Sequence, residues 1–177
     1  MKNPHVLPLF LLASSLFAAP PKPVYCSKVI TKKTPGHAVR IKANITGAKQ
    51  LFLVVEAGGD NSCDHVNWAE PRLTGPTGLK KLTELPWKKA TSGWRAVQLN
   101  RAVSGAPMRI AGNPIAYGIG THSYSILQYD LPAGYTHFEC LAGLDNGGTQ
   151  QACGEQASVV FKVYTSEPAP EGAAPVD

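Results

Sequence analysis

The feature that most constrains the fold is a two-residue alternation that recurs in short segments and never gives way to a helical period. Phe138, Cys140 and Ala142 alternate with His137 and Glu139, and Val159, Phe161 and Val163 alternate with Val160 and Lys162. Val39, Ile41 and Ala43 alternate with Arg40 and Lys42. Successive strand residues point to opposite faces, so each pattern reads as a half-buried strand. Leu51–Val55 is apolar throughout and reads as a central strand. Further short strands are expected near Arg95–Leu99, Met108–Ala111 and Tyr124–Tyr129. Turn signals separate these segments, among them Thr74–Gly78, Gly112-Asn113-Pro114, Pro132-Ala133-Gly134 and Asn146-Gly147-Gly148. Many short strands with frequent turns predict an all-β sandwich or barrel. Length agrees, because 177 residues suit one domain, and 44% apolar residues suffice for one core.

The N-terminus reads as a secretory leader over residues 1–19. Lys2 supplies the positive end, Val6–Phe17 the apolar run, and Ala18-Ala19 a small-residue exit. The run is too short for a membrane span, and no other stretch is expected to cross a bilayer. The expected location is therefore secreted or periplasmic after leader cleavage. Residues 20–37 read as a Pro/Lys linker, 38–165 as the folded domain, and 166–177 as a disordered Pro/Ala/Glu tail.

Export permits disulfides. The cysteines are Cys26, Cys63, Cys140 and Cys153, which allow three full pairings. No two are close enough in sequence for the paired ligands of a zinc site. Cys63 and Cys153 lie in Gly/Asn/Asp-rich loops and form the preferred bond, while Cys140 sits at a core position of its strand.

The net charge is +5, and the lysines come in pairs spread along the chain (Lys32-Lys33, Lys80-Lys81, Lys88-Lys89), with no arginine cluster. Nucleic-acid binding needs a concentrated stripe, so no nucleic-acid partner is expected. Catalytic signals are weak. There is no Gly-x-Ser-x-Gly turn, and His122 and Ser123, being neighbours on an extended segment, point apart. The loop containing Asp60, Asn61 and Asp64 offers oxygen ligands beside glycines, and Asp145 begins a second such turn. Both suit calcium, or Asx turns that need no metal. Trp87, Trp94, Tyr117 and Tyr124 lie in or beside Gly/Ser/Thr/Pro-rich loops. Aromatic faces with a few fixed polar groups are what a sugar ring requires. Trp68 reads as core.

Taken in order, Gly118-Ile119-Gly120-Thr121-His122-Ser123, Tyr129-Asp130-Leu131, Phe138, Gly143-Leu144-Asp145 and Ser158-Val159-Val160-Phe161 resemble the NPCBM family, the novel putative carbohydrate-binding modules grouped with carbohydrate-binding module family 51. Leu82–Trp87 and Ser92-Gly93-Trp94 resemble its opening motif. Gly47–Val55 and Asp64–Glu70 also resemble the family, but they match its closing part and here come first, so the domain reads as circularly permuted. The resemblance implies a galactose-binding-like jelly-roll sandwich. It also implies non-catalytic binding of galactose-type glycans, a structural calcium and the company of a separate glycoside hydrolase. The rival reading is a structural or protein–protein adhesion sandwich with no sugar site. His122 is the expected partner of sugar hydroxyls, with Trp87, Tyr117, Trp94 and Tyr124 as stacking candidates. A competing role for His122 is a buried tie between the Gly118–Ser123 turn and the Asp64-His65 loop.

Overall fold

The computed structural model describes residues 20–169. Seven strands carry the architecture: β1 (Ala38–Asn44), β2 (Gln50–Ala57), β3 (His65–Gly75), β4 (Gly118–His122), β5 (Ser125–Asp130), β6 (His137–Leu144) and β7 (Ser158–Tyr164). They form two antiparallel sheets. One runs β7-β2-β5 and is completed by Lys89–Thr91 on the β5 side. The other runs β1-β6-β3-β4 and is completed by Gln98–Leu99 beside β4 and Gly78–Lys81 beside β3. The only α-helix among the described residues is α1 (Asn146–Thr149).

The alternation decides which side chains meet between the sheets. Leu51, Leu53 and Val55 of β2, Leu127 and Tyr129 of β5, and Val159, Phe161 and Val163 of β7 come from one sheet. They share one core with Ile41 and Ala43 of β1, Val66, Trp68 and Leu73 of β3, Ile119 of β4, and Phe138, Cys140 and Ala142 of β6. Trp68 is fully buried between Phe161 (ring centroids 5.0 Å) and Phe138 (6.3 Å), both edge-on. Each such aromatic pair contributes about 0.5–1.5 kcal/mol beyond its buried area. Trp68 and Cys140 are thus core residues, as their sequence context suggests.

The first-arriving apolar strand sits beside the last. β2 and β7 are paired in register, Val55 with Phe161 and Leu53 with Val163. One sheet therefore sets a strand from early in the chain beside the last strand.

Several details depart from the sequence reading. The segment read as a linker is partly strand: Tyr25–Cys26 and Ile30–Thr31 both pair along β7, and Ile30 is buried. Such two-residue edge strands cover an otherwise open sheet edge. The expected strands at Arg95–Leu99 and Met108–Ala111 shrink to Gln98–Leu99 and Arg109–Ile110, because the intervening backbone serves loops. The longest strand, β3, carries no alternation signal. Its polar residues Asn67 and His65 are buried, and Glu70 and Pro71 form a bulge opposite Cys140, with Glu70 at φ 51°. The expected leader (1–19) and residues 170–177 of the expected tail lie outside the described residues. Of that tail, Pro168 and Ala169 line a groove with Val54, Ile126 and Tyr164.

Candidate functional site

β4 ends at His122, and β3 begins at His65; the two are direct cross-strand partners. Cross-strand neighbours share a face, so the imidazoles meet, with ring centroids 5.5 Å apart. Both are buried, at 7% and 5% exposure. The His122 ring is fixed by its Nδ1, which donates to the Ser123 carbonyl at 2.6 Å. A carbonyl only accepts, so Nδ1 carries a proton, and in the neutral tautomer with that proton Nε2 is the acceptor.

The loop after Thr91 closes over this pair. Ser92 Oγ accepts from the His122 amide at 3.0 Å. Gly93 lies against the turn that follows; a Cβ there would come within 2.1 Å of the Ser123 carbonyl oxygen, so only glycine fits. Trp94 is then laid on His65, centroids 4.9 Å apart at 26°, and stands 6.0 Å from His122. It keeps 40% exposure. Arg95, at φ 56°, sets its guanidinium 4.4 Å from the Trp94 ring centre. The result is a partly exposed indole with His65 stacked on it, His122 beside it and the Arg95 guanidinium over its ring.

Two buried aspartates anchor the strands beneath. Asp64 accepts from Ser123 Oγ at 2.6 Å and from the Ser158 amide at 2.8 Å. Burial nevertheless pushes its carboxyl above the ordinary range, outweighing those bonds. Asp145 accepts from Asn67 Nδ2 at 2.6 Å and from the amides of Arg109 at 3.0 Å and Gly147 at 2.7 Å. Its own amide donates to the His65 carbonyl at 2.8 Å. Burial, reinforced by His122, holds the His65 imidazole below its ordinary range, so the ring is neutral at pH 7. Cys63 and Cys153 are disulfide-bonded, as expected from their loops, which pins the chain just before Asp64.

The turn at Gly118–Ser123 is indeed tied to the Asp64-His65 loop, but Ser123 makes the tie through its hydroxyl. Ser123 and His122 do not form a nucleophile–base pair, since the histidine addresses the serine's carbonyl. Gly118 and Gly120 admit close approach by the chain's own backbone, at the Trp68 and Arg101 carbonyls.

Of the expected sugar contacts, His122 and Trp94 come together. Tyr124, 39% exposed, follows Ser123 directly but lines the neighbouring groove with Val54, Thr91, Ile126 and Tyr164. Tyr117 lies at the opposite end of β4, roughly 17 Å from His122 at about 3.4 Å per residue, with Lys81 Nζ 4.6 Å from its ring centre. Trp87 is half-buried and packs on the core. His65 and Arg95 were missed. No local pattern marks them; His65 becomes informative only when its partner across the sheet is known.

The three aspartates of the expected calcium set do not gather at one point. Asp60 accepts from the Ser62 amide at 2.7 Å, and Asp64 and Asp145 accept the two and three hydrogen bonds given above. No three His, Cys, Asp or Glu side chains among the described residues converge to hold a metal. Asn61 is exposed and adds no further anchor.

No curated protein and no solved structure matches this chain. The family model described as NPCBM/NEW2 domain does, over residues 17–74 and 78–169. Those segments include every strand of both sheets and all the residues gathered around Trp94. The chain therefore belongs to the NPCBM/NEW2 domain family, carbohydrate-binding modules with a galactose-binding-like sandwich fold.

Proposed function

We propose that this chain is an exported, non-catalytic glycan-binding protein whose sugar site is centred on Trp94, His65 and His122. The observation that carries the reading is the exposed Trp94 ring held rigidly on His65 beside His122. A sugar ring offers an apolar C–H face to an indole and hydroxyls to nearby polar groups. The indole is already ordered, so little entropy is lost on binding. His122 Nε2 accepts from a hydroxyl, and the two imidazoles fix its orientation. Galactose-type glycans are the class to try first, on the strength of the family. A separate glycoside hydrolase is the natural partner of such a module. The pairing of β2 with β7 supports reading the domain as permuted, since it sets the segment that resembles the family's closing part beside the last strand.

The test is a glycan array followed by titration of the best ligand. Trp94→Ala is expected to abolish measurable binding with a small change in melting temperature. His122→Ala is expected to weaken binding by about 1–3 kcal/mol and, because the ring is buried, to lower stability as well. Unchanged affinity in Trp94→Ala would refute the site. A second reading, an adhesion module, has one observation in its favour. Phe52, Val54, Ile126 and Tyr164 form a separate apolar cluster outside the core. Binding of no glycan on the array, with capture of a protein through this cluster, would favour it.

A further inference from the structure

Between Glu84 and Asp130 the sequence has no carboxylate, yet it holds Lys88, Lys89, Arg95, Arg101 and Arg109. This acid-free stretch includes the whole loop system around Trp94. Two of its arginines are brought to one turn. Arg95 Nη1 donates to the Ser104 carbonyl at 3.0 Å, and Arg101 Nη1 donates to the next carbonyl, that of Gly105, also at 3.0 Å. The turn is closed by the Gly105 amide on the Ala102 carbonyl, with Gly105 at φ 89°. It borders the imidazole pair. A Cβ on Gly147 would lie 3.6 Å from Ser104 Oγ and 3.5 Å from His65 Nδ1, so both groups flank one small space.

A carbonyl orients a guanidinium without neutralising it, and each arginine keeps further N–H donors free. Neither Arg95 nor Arg101 is in an ion pair among the described residues. Both are exposed. The nearby acids Asp64 and Asp145 are buried and committed to hydrogen bonds. Arg95 also holds a left-handed backbone conformation, which a non-glycine residue adopts only when its surroundings impose it.

We infer that Arg95 and Arg101 form an anion clamp beside the Trp94 platform, and that the glycan taken here is acidic. This rests on the sugar-binding reading above. The ligand is a saccharide that carries a carboxylate or a sulfate ester on the ring held at Trp94. A planar guanidinium matches either group with paired N–H donors. Arg95 lies over the indole ring, so a saccharide docked at Trp94 sets its anionic group against that guanidinium. The shared requirement is a fixed monoanion, and the two sources are separated by experiment.

The experiment is titration calorimetry of the full chain with three ligands: oligogalacturonate, a sulfated galacto-oligosaccharide and a neutral galacto-oligosaccharide. An acidic ligand is expected to bind more tightly than the neutral one, with the preference fading in high salt. Whichever acidic ligand binds names the source. In Arg95→Gln/Arg101→Gln, acidic affinity is expected to fall about ten-fold or more, as loss of charge-assisted hydrogen bonds requires, and by clearly more than any change in neutral affinity. Lys28→Gln/Lys49→Gln removes the same charge from exposed sites elsewhere and is expected to leave acidic affinity nearly intact. An equal loss in that control would show a diffuse field and overturn the clamp. So would equal affinity for duplex DNA, which would mark a general polyanion surface. Neutral binding with no acidic preference would sink this proposal alone. Failure of all three ligands would sink the sugar-binding reading with it.

Discussion

Asp145 offers the sharpest test of how the site is held. Replacing Asp145 with alanine removes an acceptor of three hydrogen bonds at once: Asn67 Nδ2, the Arg109 amide and the Gly147 amide. Asp145 itself is 2% exposed. Each bond to a charged group contributes about 1.5–3 kcal/mol, and a donor left buried without a partner costs about 1–3 kcal/mol. Asn67 is fully buried and has no alternative, whereas the two amides are only partly buried and can recruit water. The net loss is therefore expected at about 3–5 kcal/mol, below the simple sum. At about 2–4 °C per kcal/mol for a domain of this size, the melting temperature should fall by roughly 6–20 °C. The assay is thermal and urea unfolding of the parent, Asp145→Ala, Asn67→Ala and the double variant. Strong coupling between the two positions is expected, because the single losses share one bond. Asp60→Ala is the control: Asp60 is exposed and caps one amide, so its variant should melt with the parent. The reasoning is refuted if Asp145→Ala melts within about 2 °C of the parent, since by the same scaling three lost bonds could not then be costing what their burial demands.

Three more outcomes follow from the same structure. Chelation with EDTA should leave the melting temperature unchanged, because the aspartates are satisfied by N–H and O–H donors; a drop would restore a cation to the Asp64 or Asp145 turn. Replacing Cys63 and Cys153 with serine opens a loop closed across a separation of 90 residues. Chain entropy sets the loss at about 4–5 kcal/mol, and a melting temperature that ignores both this change and dithiothreitol would contradict it. The third concerns pH. The unfolded chain protonates His65 near pH 6.5, while burial makes the folded chain protonate it only at lower pH. Between those values the unfolded state binds more protons, so stability should decline as pH falls below about 6.5. His65→Gln should flatten that part of the melting-temperature profile, and an identical slope in the variant would remove His65 as its source.

The fold class was legible because burial in a sandwich imposes a two-residue period on each half-exposed strand. β1, β6 and β7 show it plainly, and the residues that alternate inward are those found in the core. The pairing of Cys63 with Cys153 was legible too, since both sit in loops where a crosslink needs little adjustment. β3 was hidden for a physical reason. It is flanked by strands on both sides and buried over most of its length, and its bulge at Glu70-Pro71 breaks the period. The edge strands at Tyr25–Cys26 and Ile30–Thr31 were hidden because two paired residues leave no pattern.

The site divides in the same way. Composition around His122 and Trp94 marked them as candidates, since loops with glycine, serine and an exposed aromatic have a recognisable local chemistry. The sequence could not separate Trp94 from Trp87 or Tyr117, because which aromatic is left open is decided by what packs against it. Trp87 is taken by the core and Tyr117 by the far end of β4. His65 meets His122 only through the antiparallel register of β3 and β4, 57 residues apart along the chain. Arg95 and Arg101 reach one turn only because it presents two carbonyls in succession. Local sequence determined the strands, turns and residue chemistry of this protein; register and loop closure, which depend on contacts between distant segments, decided which of those residues share a site.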